Sequence, residues 1–371
     1  MRVSLAERRT SPAELLWDLV FVFAVTQVTT LLSRDLSWAG LGRSLLVLAL
    51  VWWAWSAFVW AANAADEDSL VLRAALMLGM VLIFITGLVL PRSFDDQATL
   101  FAVSYTGVRL LHLALYADAS RRGNASWSAI AGFAVTVVIG MVLLIVGSFL
   151  EDTARVALWS VAAAIDYAGP AWLTRERLRG LQQVAVAHFA ERYSLFVIIC
   201  LGESIVALGV GATSRPVDAE LVTAVTLGLL MTAALWWTYF DRFAAIAEGR
   251  LRTHDDPVLA AADSYSYIHL VLVAGIIIFA VGVKLMIHDA GEQLHDAARL
   301  ALCGGTALYL VGHVAFGTRM VGVIGHEKLV AAAALMAVYA LAGGLPAWAV
   351  AGAATGALIS LCAVETLRPR F

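Results

Sequence analysis

A few ionisable residues interrupt long apolar runs, and their spacing is that of helix faces. Glu14 and Asp18 lie four residues apart, so an α-helix stacks both carboxylates on one face. Two acids so placed in a low dielectric do not both carry charge cheaply, which suits a proton or cation site. The plainer alternative has Glu14 as a first-turn acid favoured by the helix dipole and Asp18 held by a neighbouring helix. Tyr105, Arg109, His112 and Tyr116 share another face, spaced four, three and four. An arginine beside a histidine at membrane depth needs a carboxylate from elsewhere, and Asp18, Asp166 and Glu203 are available. The stripe reads either as a structural ion pair or as an anion- or proton-handling site.

Asp166 stands four residues before Pro170, which has no N–H to give the Asp166 carbonyl, so a kink is expected there. An acid at a helix break is one way to build a midplane ion site, although such kinks also occur without function. Further on, His188, Arg192 and Glu203 fall near one face, and Glu191, Gly202 and Gly209 near another. Glycines repeated on one face predict close helix packing at Gly202 and Gly209. Glu203 is the deepest acid of this run and the first to mutate. His269 and His313 read as core histidines. The loop His288 to His295 has metal-capable residues without a strict motif, and no metal or cofactor is expected. Cys200, Cys303 and Cys362 each stand alone in apolar runs and read as packing groups. Trp52, Trp53, Trp55 and Trp60 read as interfacial anchors and helix packing.

The elements that position these residues are membrane helices. The chain is 61% hydrophobic and 14% charged, against about 25% charge for a soluble domain, and its mean hydropathy is +0.84. Such a surface is costly in water and free in hydrocarbon. The formal charge of -3, with no concentrated basic patch, speaks against nucleic-acid binding. A ruler of about 20 apolar residues per span divides the sequence into about twelve transmembrane helices. They fall near 15–33, 39–61, 71–90, 98–118, 127–150, 156–174, 188–211, 219–240, 263–287, 297–317, 328–345 and 347–366. The expected fold is therefore an all-α polytopic membrane protein. No stretch between spans holds a soluble domain, and 241–262 fits a helix lying in the interface. The N-terminal apolar segment lacks a cleavage site and carries two acids, so it is expected to persist as the first span.

Basic residues gather on alternate loops: Arg2, Arg8 and Arg9; Arg121 and Arg122; Arg175, Arg177 and Arg179; Arg242, Arg250 and Arg252; Arg319 and Lys328; Arg368 and Arg370. That bias places both termini in the cytoplasm. The halves 1–180 and 181–371 show parallel features. Trp52-Trp53-Ala54-Trp55 in the second span resembles Trp236-Trp237-Thr238-Tyr239 in the eighth, and Gly107 to His112 resembles Ala307 to His313. A 6+6 parallel internal repeat and a chance likeness of biased sequence both remain open.

Two segments carry a family likeness. Glu14-Leu15-Leu16-Trp17-Asp18-Leu19-Val20-Phe21-Val22-Phe23-Ala24 resembles the opening signature of the bacterial low temperature requirement A family. His188-Phe189-Ala190-Glu191-Arg192-Tyr193-Ser194 through Cys200-Leu201-Gly202-Glu203-Ser204 resembles its second signature. The resemblance covers the whole chain and implies a multi-span protein of the bacterial plasma membrane, without implying a substrate or reaction.

Buried carboxylates, an Arg/His stripe and a duplication without a soluble catalytic domain lead to the expectation of a secondary transporter or permease. It would be proton- or cation-coupled, acting on an unknown small solute or ion, with membrane lipid as its surroundings. Asp18, Asp166 and Glu203 would carry the ion, with Glu191 and Arg192 beside them and Arg109 and His112 facing an anionic group or gating the acids. No phosphate loop is present, so ATP-driven transport by this chain alone is not expected. The alternatives are a membrane-embedded enzyme acting on lipid, with His112 or His188 as base, and a sensor or scaffold whose buried charges only specify packing. No H-E-x-x-H or G-x-S-x-G sequence supports the enzyme.

Overall fold

The computed structural model describes residues 10–65, 69–123, 126–170, 185–213 and 215–367, and within these the chain is all-helical. The helices are α1 (Pro12–Arg34), α2 (Trp38–Ala64), α3 (Leu70–Val89), α4 (Ala98–Arg121), α5 (Trp127–Ser148), α6 (Asp152–Ala168), α7 (Val186–Thr213) and α8 (Ala219–Phe240). They are followed by α9 (Phe243–Arg252), α10 (Pro257–Ala261), α11 (His269–His288), α12 (Asp296–Val321), α13 (His326–Leu341) and α14 (Ala347–Leu367). A π-helical turn over Ala262–Ile268 joins α10 to α11.

Short polar residues start the helices where the sequence changes character. Ser11 and Glu14 form a reciprocal capping box on α1, with Pro12 as the first helical residue; the Ser11 N–H donates to Glu14 Oε2 at 2.8 Å. Asp218 caps α8 by accepting from the Leu221 N–H at 2.7 Å, and His295 caps α12 through Nδ1. Gly322 ends α12 in the left-handed region at φ 75°, where a side chain would be strained.

Among the described residues, ten helical stretches are long and apolar enough to cross a membrane. α6 and α13, with 17 and 16 residues, are not among them. At 1.5 Å per residue α13 reaches about 24 Å, short of a hydrocarbon core of about 30 Å. The α6 run continues toward residues 171–184, which lie outside the described residues together with Arg175, Arg177 and Arg179. Arg2, Arg8, Arg9, Arg368 and Arg370 lie outside them as well. Surface polarity is inverted relative to a soluble protein. Val135, Val138, Val142 and Val146 make an exposed apolar stripe on α5, and Leu78, Val81 and Leu88 face outward from α3, while the charged residues described below are buried.

The chain groups into two compact units. One comprises Met1–Arg34, Trp38–Tyr193 and Leu251–Ser266, the other Asp35–Ser37, Ser194–Arg250 and Tyr267–Phe371. In the first, α1 packs on α2 and α3, α3 on α4, α4 on α5, α5 on α6, and α2 against α4 and α6. Glycine lets the α1–α3 and α5–α6 pairs close up: a Cβ at Gly87 would lie 3.2 Å from the Ala24 Cα, and one at Gly140 3.1 Å from the Ala162 carbonyl oxygen.

In the second unit α11 packs on α12, α12 on α13, α13 on α14 and α14 on α8. The α11–α12 seam brings backbone to backbone. A Cβ at Gly305 would lie 3.0 Å from the Gly275 carbonyl oxygen, and one at Gly282 would collide with the Leu302 backbone. This corrects the expectation for Gly202 and Gly209, where a Cβ would meet nothing within 4 Å among the described residues. Periodicity placed those glycines on one face but not against a neighbour.

Candidate functional site

The first unit buries four ionisable side chains in one cluster. α1 presents Glu14 and Asp18 one turn apart, and the first turns of α7 present His188 and Arg192 one turn apart, so the two faces meet in register. The Arg192 guanidinium grips Asp18 with a two-pronged fork, Nε donating to Oδ2 at 3.0 Å and Nη2 to Oδ1 at 2.6 Å. Its Nη1 lies 3.1 Å from Glu14 Oε1, and the same oxygen sits 3.0 Å from His188 Nε2. Trp55 on α2 donates its indole N–H to Asp18 Oδ1 at 2.8 Å. Each of the four ionisable side chains is at most 1% exposed.

The charge count decides what such a site can do. Two carboxylates against one guanidinium leave one negative charge, and one proton at the His188–Glu14 contact brings the set to neutrality. In a medium where an uncompensated charge costs several kcal/mol, that proton is worth about as much as the fold can spare. Glu191, on the neighbouring face of α7, accepts from the Thr10 N–H and hydroxyl at 3.0 Å each, which ties the chain entering α1 to α7.

Beside the cluster runs a network of hydroxyls and indoles centred on Ser266, in the π-helical turn. Its Oγ lies 3.0 Å from both Tyr193 Oη and Ser56 Oγ and accepts from Trp60 Nε1 at 2.8 Å; its carbonyl accepts from Trp52 Nε1 at 2.7 Å. Trp55 meets Tyr193 edge-on at 4.8 Å. Trp52 and Trp55 are therefore buried hydrogen-bond donors packed between helices, which agrees with their reading as helix packing and not as interfacial anchors. Ser266 went unnoticed in the sequence, where nothing but its place among Tyr265, Tyr267 and the preceding acid set it apart.

A second ion pair lies on α4 and α6. Arg109 Nη2 donates to Asp166 Oδ1 at 2.8 Å, so of the three acids offered for Arg109 it is Asp166 that answers. Asp18 goes to Arg192 instead. Trp53 faces the Asp166 carboxylate and stacks on Tyr167 at 4.1 Å, and the Tyr167 hydroxyl donates to the Ala49 carbonyl at 2.7 Å. His112, one turn from Arg109, meets Tyr116 edge-on at 5.2 Å, and Tyr105 donates to the Leu50 carbonyl at 2.9 Å. At Gly169 and Pro170 α6 passes into a π turn, at the place where the missing proline N–H is expected to interrupt the helix.

The second unit holds Glu203, buried on α7, and a mostly uncharged aromatic core. Tyr239 Oη lies 3.0 Å from His269 Nε2, Tyr309 donates to the Leu235 carbonyl at 2.8 Å, and His313 packs among Tyr239, Phe243 and Tyr309. Lys328 and Glu365 pair at its edge. Between spans, a hydrogen bond from Arg92 holds the Asp96 carboxyl below its ordinary range.

Known proteins place these features in a family. The model of the family described as bacterial low temperature requirement A protein (LtrA) matches residues 9–363, which include both signature segments and every residue of the cluster. The chain is 30% identical over 312 residues to an uncharacterized protein of Rhizobium meliloti (strain 1021), covering 82% of this chain and 76% of that one. It is a multi-pass membrane protein, and it belongs to the bacterial low temperature requirement A protein (LtrA) family.

Proposed function

We propose that this protein is a secondary transporter of the plasma membrane, coupled to protons, with the coupling proton held at the Glu14–His188 contact. The observation that carries the reading is the charge set itself: two buried acids, one buried arginine and one histidine within a few ångströms, neutral only when one extra proton is present. A cluster built for packing alone needs no fourth titratable member, because Arg192 and Asp18 already form a complete pair. Asp166 with Arg109 and His112 forms the second polar site of the first unit.

The same reading takes twelve spans in two parallel sets of six, 1–180 and 181–371, with both termini cytoplasmic; α13 crosses as a short helix where the bilayer thins around it. Support comes from a repeated detail. A tyrosine of the fourth span, Tyr105, bonds a carbonyl of the second, Leu50, and a tyrosine of the tenth, Tyr309, bonds a carbonyl of the eighth, Leu235, though not at matching positions; α2·α6 packing is matched by α8·α14.

Purified protein in liposomes provides the test. Under an imposed proton gradient, a panel of labelled small solutes is expected to contain at least one that accumulates above the level in protein-free vesicles. If no solute accumulates and no proton crosses, the transport reading fails.

A further inference from the structure

The two buried arginines of the first unit are held differently. Arg192 is engaged on its Nε–Nη2 edge by both oxygens of Asp18, and its Nη1 lies 3.1 Å from Glu14 Oε1 as an ion pair, without a hydrogen bond. Arg109 is 2% exposed, yet it meets Asp166 through Nη2 alone, and its Nε and Nη1 find no hydrogen-bond acceptor among the described residues. One turn along the same face, His112 Nδ1 is also without a hydrogen-bond partner among them. Buried donors left unmade cost free energy, more so on a charged group, and Asp166 neutralises Arg109 without a fork. A guanidinium with spare donors is a receptor for the paired oxygens of a carboxylate or phosphate.

We propose that Arg109 anchors a binding site for an oxyanion, a carboxylate or phosphate group, taken on an edge of the guanidinium that joins an unused donor, Nε or Nη1, to the Nη2 that Asp166 holds, with His112 beside it. The site rests on the transport reading only for its use, since it names the class of solute carried; binding itself is independent of flux. Asp166 competes with the ligand for the guanidinium. The other titratable groups on the pair are Tyr105 and His112 of α4, and α5 contributes none. Neutralising Asp166 therefore strengthens anion binding, the reverse of what a purely structural partner would do.

The test uses the full chain in detergent, its melting midpoint titrated with potassium acetate, succinate and phosphate against potassium chloride. A parallel arm uses nanodiscs with and without phosphatidylglycerol. A saturable rise with an oxyanion in the first arm identifies a solute ligand, and a rise confined to phosphatidylglycerol identifies a lipid headgroup. The response is expected to vanish in Arg109→Gln, to persist in the exposed Arg122→Gln, and to half-saturate at about tenfold lower concentration in Asp166→Asn, about 1.4 kcal/mol. Asp166→Asn decides the matter if Arg109→Gln does not fold, because it keeps the guanidinium. No response above chloride in either arm, a full response in Arg109→Gln, or unchanged or weaker binding in Asp166→Asn overturns the proposal. Oxyanion binding without flux would remove the transport reading and leave the site; accumulation of an uncharged solute without oxyanion binding would do the opposite.

Discussion

Replacing Arg192 with Gln is expected to lower stability by about 3–5 kcal/mol, because it strands the Asp18 carboxylate and leaves Glu14 paired with His188. Arg192→Lys keeps the charge but cannot reproduce the fork, so it should lose less than Gln and more than a surface substitution. The double replacement Arg192→Met with Asp18→Leu should recover much of the loss, since it removes both charges and leaves Glu14 its histidine. Denaturant or thermal unfolding in detergent reads all three. A wild-type midpoint for Arg192→Gln would mean that the guanidinium is hydrated in the protein and that the cluster is not the dry site described above.

The second large effect is expected at the α11–α12 seam. Val at Gly275 or Gly305 drives a branched side chain into the facing backbone, which side-chain adjustment cannot relieve. Overpacking of this kind costs about 1–3 kcal/mol where only side chains must move, and more is expected where two helices must separate. The same substitution at Gly202 should be close to neutral, because a Cβ there has open space among the described residues. Melting midpoints of the three variants rank the sites. Equal losses at Gly202 and Gly305 would contradict the seam.

Membrane residence and helical class are written in composition, because a 14% charged chain has no other solvent that accepts its surface. The span count was less legible. Hydropathy ran α13 to 345, whereas the helix ends at Leu341, since Ala342 to Pro346 is apolar enough to span yet holds glycines and a proline that end a helix; the expected end of the sixth span, near 174, lies outside the described residues. The site was legible in its members and not in its pairing. Spacing placed Glu14 over Asp18 and Arg109 over His112, but periodicity fixes only which face a residue occupies. It carries no information about which helix lies opposite. Thus Asp18, 174 residues from Arg192, was as available to Arg109 as Asp166 was. Glu14 was left out of the ion carriers because the helix dipole already explains an acid in a first turn, although its carboxylate meets His188. The Ser266 network was invisible for a different reason. Serine in an apolar helix is common, and only the π turn with three aromatic donors and acceptors around it marks this one.

The central claim is that one proton at the Glu14–His188 contact couples to solute movement. Vesicles with a lumenal pH dye and an inward proton gradient, given the solute found by the panel, measure it directly. Wild-type protein should admit protons on solute addition, while Glu14→Gln and His188→Gln, provided they fold, should give flat traces even where solute still equilibrates. Solute-driven proton entry at the wild-type rate in both variants would contradict the account.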